Sequence, residues 1–436
     1  MIPLTVPVPV PVPAITIAIT ITIAIAATVQ RVVHQQFETM HGQKRNDYKM
    51  RARDPVVAEA RQSKAQQWFR LSGLLIQKHK NATADTNDTN DNDDNVDDDS
   101  NEATLALLSK LLLVNPDPMY LWNHRRDLLV RQNQNNNNNN NAKNTMDELE
   151  LTQQCLGRNS KAYSVWFHRK WWIQRIIEIS PLEEHTTSKE NVLQQELELT
   201  TQFLLLDERN FHCWNYRRFI IGLLGNVICG ATSPTAAGEW TWLTHLTTQT
   251  SISTMTKKPM GRQVGQSSTI VPVHDLNDKI SNTEQQLLQA LLDSEWDFTT
   301  IKINANFSNG SAFHYRSTLL TLQTSADLSQ ELELIHNAIF TEPDDQTAWW
   351  YLEFLLSQGL LSDVMLQTEK ELLQELALDE GESKWVWLGL YNVVSRMENE
   401  QDTMLESLDR LIELDMDRKA RYKCLKEIIL EKMTKL

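Results

Sequence analysis

The chain has 436 residues, with 42 Lys and Arg against 57 Asp and Glu, a formal charge of −15 and 41% hydrophobic residues. That length suits two or three domains or one continuous repeat array, and that hydrophobic share is enough for a sizeable core. The acidic balance argues against a nucleic-acid binder, and four scattered cysteines without a C-x-x-C pair argue against a disulfide scaffold or a self-contained cysteine zinc site.

No run of ~18 uninterrupted apolar residues occurs, so no membrane span is expected, and a cytoplasmic location is. Residues 1–39 read as a low-complexity leader. Pro alternates with Val over 3–13, and 14–27 read AITIAITITIAIAA. The apolar run and Ala24-Ile25-Ala26 resemble a signal peptide with its cleavage site, but no positive charge precedes them and Thr interrupts throughout. The reading preferred is a disordered leader, or one left untranslated because synthesis starts at Met40.

Residues 40–80 form a basic segment with a helix over Val56–Ile76. Its run Lys44, Arg45, Lys49, Arg51 and Arg53 is expected to be a solvated face, the alternative being contact with an acidic partner surface. Residues 81–102 read as an acidic, disordered Asn/Asp loop; setting aside 85–102, which hold eight Asp and Glu102, 48 acids face 42 bases. Asp91-Asn92-Asp93-Asp94-Asn95 lacks the glycine and closing glutamate of a calcium loop. Seven asparagines at 135–141 form a second solvated tract. Residues 224–285, rich in Gly, Ser, Thr and Pro, read as an irregular insert between helices.

Helical repeats are expected over 103–223 and 286–436. One self-similar half-repeat returns as Tyr-Leu-Trp122-Asn-His-Arg125, Ser-Val-Trp166-Phe-His-Arg169, His-Cys-Trp214-Asn-Tyr-Arg217 and Ser-Ala-Phe313-His-Tyr-Arg316. Weaker copies follow at Trp349 and, at the same spacing of 36, at Trp385; another 36 reaches Arg421-Tyr422, in an expected capping element. The other half opens Glu148-Leu-Glu-Leu, Glu196-Leu-Glu-Leu and Glu331-Leu-Glu-Leu, each Glu standing 18 residues before its marker aromatic. Leu at i, i+3, i+4 spacing makes the first half a helix. Polar turns such as Asp207-Glu-Arg-Asn210 and Glu342-Pro-Asp-Asp345 then offer caps for the second. Trp and Arg three apart share a helix face. The Trp is expected to fill the seam between neighbouring repeats, with Arg stacked beside it or bonding a carbonyl.

These repeats resemble the protein prenyltransferase alpha-subunit family, which carries W-[NHQ]-x-R-R at the start of the second helix. Trp122-Asn-His-Arg-Arg126 and Trp214-Asn-Tyr-Arg-Arg218 match in full, and Trp166-Phe-His-Arg-Lys170 nearly so. Met40-His-Gly-Gln-Lys-Arg45 and Leu113-Val-Asn-Pro-Asp117 are similar to the Rab-type, type II geranylgeranyl branch. The resemblance implies an all-α fold, a right-handed α-α superhelix (solenoid) of tandem helical hairpins. It also implies a heterodimer with a prenyltransferase beta subunit that holds zinc and most of the isoprenoid pocket. The co-substrate would be geranylgeranyl diphosphate, and the acceptors Rab GTPases delivered by a Rab escort protein.

Residue by residue, Lys161 matches the family's diphosphate-contacting lysine and Tyr163 an aromatic hydroxyl lining the same site. Asn210 and His212 match positions facing the isoprenoid diphosphate. Read without the family, Lys161 is an exposed turn lysine and His212 a helix-start residue. No metal site is expected in this chain, although His41, near a start at Met40, is a speculative inhibitory ligand for the partner's zinc. The alternatives are the alpha subunit shared by farnesyltransferase and the type I enzyme, and a non-catalytic helical-repeat adaptor.

Overall fold

The computed structural model describes residues 54–85, 98–135, 141–179, 186–228, 282–320 and 327–434. The leader, His41, the basic run at 44–53, and Cys229 lie outside them. Helices run to Asp85 and resume at Asp98, run to Asn135 and resume at Asn141, and run to Ile228 and resume at Asn282. The central parts of the acidic loop, the Asn tract and the irregular insert therefore also lie outside the described residues.

Among the described residues the regular structure is all helical, with no strand. The helices are α1 Pro55–Asp85, α2 Asp98–Val114, α3 Met119–Asn135, α4 Asn141–Arg158, α5 Tyr163–Ile179, α6 Thr186–Leu206, α7 Phe211–Ile228 and α8 Asn282–Ala305. They continue as α9 Gly310–Leu320, α10 Leu328–Thr341, α11 Gln346–Gln358, α12 Asp363–Asp379, α13 Lys384–Val394, α14 Gln401–Leu414 and α15 Lys419–Met433. From α2 onward they pair as tandem hairpins, one hairpin per sequence repeat.

Each second helix places its marker three residues after its start. The indole N–H then bonds the carbonyl six residues back, in the preceding turn. Trp122 bonds Pro116, Trp166 bonds Ser160, Trp214 bonds Glu208 and Trp349 bonds Pro343, each at 2.8 Å. In α13 this bond is made by Trp387, to Gly381 at 2.8 Å. The marker there is Trp387 and not Trp385, a correction to the even spacing of 36. Because α13 starts at Lys384, only position 387 lies over the turn; Trp385 is buried with Lys384 and Arg418 near its ring, at 5.5 and 5.9 Å. Tyr422 holds the corresponding place in α15 and donates to Asp415 at 2.8 Å, as the capping element requires.

The expected caps form. Asp345 accepts from the Thr347 N–H at 2.8 Å and Asn210 from the Cys213 N–H at 3.3 Å, each worth about 1 kcal/mol. Two glycines have a steric reason. Gly359 ends α11 at φ 66°, the left-handed region. A Cβ on Gly389 would lie 2.3 Å from the Trp349 ring, so α13 passes over that indole only because this residue is glycine.

The chain divides into two compact bodies, residues 1–173 with 198–207, and residues 174–197 with 208–436. Within the first, Trp122 is fully buried and its ring lies 4.6 Å from His168, while Trp166 meets Phe203 edge-on at 5.7 Å. Within the second, Trp214 packs against Phe298 and Tyr315, and Phe313 against Tyr351 at 5.3 Å. The marker aromatics thus fill seams between successive repeats, as their spacing predicts.

Candidate functional site

The arginine three residues after the first four markers is buried, and it performs up to two tasks. Its Nη1 bonds the carbonyl twenty residues back in the first helix of its own repeat: Arg125 to Leu105 at 2.8 Å, Arg169 to Leu149 at 2.7 Å, Arg217 to Leu197 at 3.3 Å and Arg316 to Trp296 at 3.0 Å. The rest of the guanidinium grips a glutamate of the next first helix. Arg125 pairs with Glu148, Arg217 with Glu295 at 2.5 Å and Arg316 with Glu331.

A second donor then closes on the same carboxylate from twenty residues further along. His168 Nε2 lies 3.0 Å from Glu148, Tyr315 donates to Glu295 at 3.0 Å and Tyr351 to Glu331 at 2.7 Å; Tyr216 likewise donates to Glu196 at 2.7 Å. The arginine therefore does bond a carbonyl. Where it stacks, it does so on a first helix and not on its own marker: Arg217 over Phe298 of the next repeat at 3.7 Å and Arg316 over Trp296 of its own repeat at 3.8 Å. Glu295 and Glu369, whose 18-residue spacing to Phe313 and Trp387 marks them as clamp positions, escaped the sequence reading because neither sits in Glu-Leu-Glu-Leu.

The turn ahead of α5 is tied to the one ahead of α3: Asn159 donates to Asp117 Oδ1 at 3.1 Å and Ser164 to the Asp117 carbonyl at 2.6 Å. Lys161 sits in that turn. Its backbone N–H donates to Asn159 at 3.1 Å, and its ammonium lies 3.3 Å from Asp207 with the side chain 48% exposed. Tyr163, the first residue of α5, is 58% exposed and stacks on Phe167 with ring centroids 6.1 Å apart. The first body thus brings Lys161 and Tyr163 to one turn.

In the second body Asn210 is fully buried and spends its carbonyl oxygen capping α7, while His212 is half-buried with its ring 3.9 Å from that of Phe211. Asn210 is therefore a helix cap at the head of α7, next to His212. Beside it the structure adds a cleft of about 380 Å³ that the residue pattern did not single out, between the starts of α7 and α9, with Phe211, Asn215, Arg218, Ser311 and His314 on its walls. The available signal was the second arginine of Trp214-Asn-Tyr-Arg-Arg218.

Among the described residues no group of three or more His, Cys, Asp or Glu side chains fits a metal ion, and no helix is long and apolar enough to cross a membrane.

The family pattern described as the protein prenyltransferase alpha subunit repeat matches residues 145–176, 193–224, 292–323 and 328–359, the hairpins whose markers are Trp166, Trp214, Phe313 and Trp349. The mouse geranylgeranyl transferase type-2 subunit alpha is 30% identical over 61% of this chain and 35% of its own length. The chain thus carries tandem copies of the protein prenyltransferase alpha subunit repeat. The Saccharomyces cerevisiae relative of the same name is 25% identical over 72% of this chain and 82% of its own length. The alignment with the mouse prenyltransferase subunit spans about a third of that relative's length. A solved structure of the Candida albicans protein geranylgeranyltransferase-I complexed with GGPP aligns with a TM-score of 0.46 and 16% identity, over 75% of this chain and 84% of that one.

Proposed function

We propose that this chain is the alpha subunit of a protein geranylgeranyltransferase type II. With a beta subunit it transfers the geranylgeranyl group of geranylgeranyl diphosphate to C-terminal cysteines of Rab GTPases presented by Rab escort protein, in the cytosol. The observation that carries the reading is the Lys161 turn. It joins the two helices of a hairpin that matches the family's repeat, and it carries a half-exposed ammonium and, two residues on, an exposed phenol.

In the transfer, the acceptor cysteine's sulfur bonds C1 of the isoprenoid. The C1–O bond breaks, and the diphosphate leaves with the electron pair while the thiol proton is lost. Zinc, expected on the beta subunit, would lower the pKa of the acceptor thiol and so favour its thiolate at neutral pH. This chain's share is electrostatic: Lys161 exchanges Asp207 for the departing diphosphate oxygens, and Tyr163 donates a hydrogen bond to them. In the second body His212 is the proposed substrate-binding group, and Asn210 beside it holds the head of α7 in place.

Single-turnover kinetics of the reconstituted heterodimer test this. Lys161→Ala should slow transfer about 10- to 100-fold with heterodimer affinity unchanged. Tyr163→Phe should have a smaller effect in the same direction. Unchanged transfer in Lys161→Ala would leave the lysine as a turn-to-turn tie only.

A further inference from the structure

The fourth residue after the marker is an arginine in two repeats, Arg126 in the first body and Arg218 in the second, and it behaves unlike its neighbour. Arg125 and Arg217 grip carboxylates; Arg126 and Arg218 have no carboxylate partner among the described residues. Each guanidinium donates through Nη2 to the asparagine three residues before it, Asn123 or Asn215. Arg126 lies over the Phe167 ring at 5.1 Å and near Trp171 at 5.9 Å, and its Nη1 is buried without a partner. Arg218 faces the cleft between the heads of α7 and α9. Both guanidiniums are half-buried, and burial holds them below the ordinary arginine value, opposed by Asp127 at Arg126 and by Tyr315 at Arg218.

A half-buried charge of this kind favours an opposite charge. At Arg218 the planar fork, held through Nη2 by Asn215, leaves its other edge for a bidentate acceptor in the cleft it lines, whereas at Arg126 the unpartnered Nη1 is closed off from solvent. Within the cleft the charge to be matched is a single one. His314, the other basic group there, is pushed down to about 4 by burial and by Arg218, so it is neutral at pH 7. One positive charge matches one carboxylate better than it matches a diphosphate. Exposed aromatics stand beside both arginines, Phe167 at 44% and Phe211 at 57%. Aromatic side chains with arginine are the composition of an interface core.

The geometry points to Arg218 as a socket for an Asp or Glu side chain of the beta subunit, the carboxylate entering the cleft bidentately against the arginine's open edge. This rests on the reading of the chain as an alpha subunit, since it takes the beta subunit as occupant.

The test uses the full chain and the type II beta subunit, with the dissociation constant measured at several salt concentrations. Arg218→Gln should weaken the heterodimer about 10- to 100-fold and flatten its salt dependence, Arg218→Glu should weaken it further, and Arg218→Lys should recover part of the loss. Inorganic diphosphate should not compete with the beta subunit, and the thermal midpoint of the variant chains alone should not fall. Wild-type affinity in Arg218→Gln, competition by diphosphate, or a matching loss of the chain's own stability would each overturn the socket while leaving the alpha-subunit reading standing. Failure of the wild-type chains to associate at all would remove that reading and the socket with it.

Discussion

The joint between the first two repeats and the joints further along the chain solve one problem with different donors. At Glu148 the carboxylate is held by Arg125 and His168; at Glu331 it is held by Arg316 and Tyr351. Burial opposes the charge on Glu148, yet Arg125 and the hydrogen bonds from His168 and Arg125 hold it down at about 2. Burial equally pushes His168 below its ordinary value, against the pull of Glu148, so the imidazole donates as a neutral group. Tyr351 is pushed well above the ordinary phenol value by burial and by Glu331, and stays protonated at any pH the fold survives. The tyrosine joint is therefore indifferent to mild acid. The histidine joint is not.

Breaking either joint at its carboxylate should have the largest effect. Glu331→Ala and Glu148→Ala each strand a buried arginine and should cost about 3–5 kcal/mol in urea denaturation. Equal wild-type stability in both would mean the clamps are ornamental.

Acid separates the joints. His168 and, in the cleft, His314 at about 4 both have folded values below the ordinary histidine value of ~6.5. The unfolded chain then binds more protons across that window, so stability is complete above ~6.5 and falls as pH drops toward the folded values. His314 contributes up to about 2 kcal/mol of that loss at pH 5. His168→Gln, which keeps a donor but cannot charge, should flatten the dependence of the urea midpoint between pH 7 and 5, whereas Tyr351→Phe should lower the midpoint at both pH values alike. Glu148 acts lower down, its contribution present above the ordinary carboxylate range and lost as pH falls toward 2.

Gly389→Ala tests packing in the same array. The added methyl meets the Trp349 ring, and a loss of about 1–3 kcal/mol is expected by thermal unfolding. The smallest contrast lies within α13. Trp387→Phe removes the bond to Gly381 and should cost about 1 kcal/mol more than Trp385→Phe; the reverse order would return the marker to position 385.

The hairpins were legible because their signal is periodic. Glu at marker −18, Trp, and Arg at marker +3 recur often enough to give the helix pairs, the seams and the caps at Asn210 and Asp345. What a single sequence hides is which neighbour a side chain meets. The same spacing of 36 selected Trp385, because spacing alone does not say where a helix begins. Nor did the pattern show that Arg125 and Arg126, adjacent and identical in type, have opposite surroundings. Lys161 was found through resemblance alone; as a residue it is a turn lysine beside Asp207.

The central claim is that this chain works only as half of a type II enzyme. The direct measurement is co-expression with type II and type I beta subunits, followed by assay of geranylgeranyl transfer to escort-bound Rab and to free C-a-a-X peptides. The account predicts a stable heterodimer with the type II beta subunit, active on escort-bound Rab and inactive on peptides. Transfer to free peptides would move the chain to the sister enzymes, and a chain that pairs with neither beta subunit would be a helical-repeat adaptor, contradicting the claim.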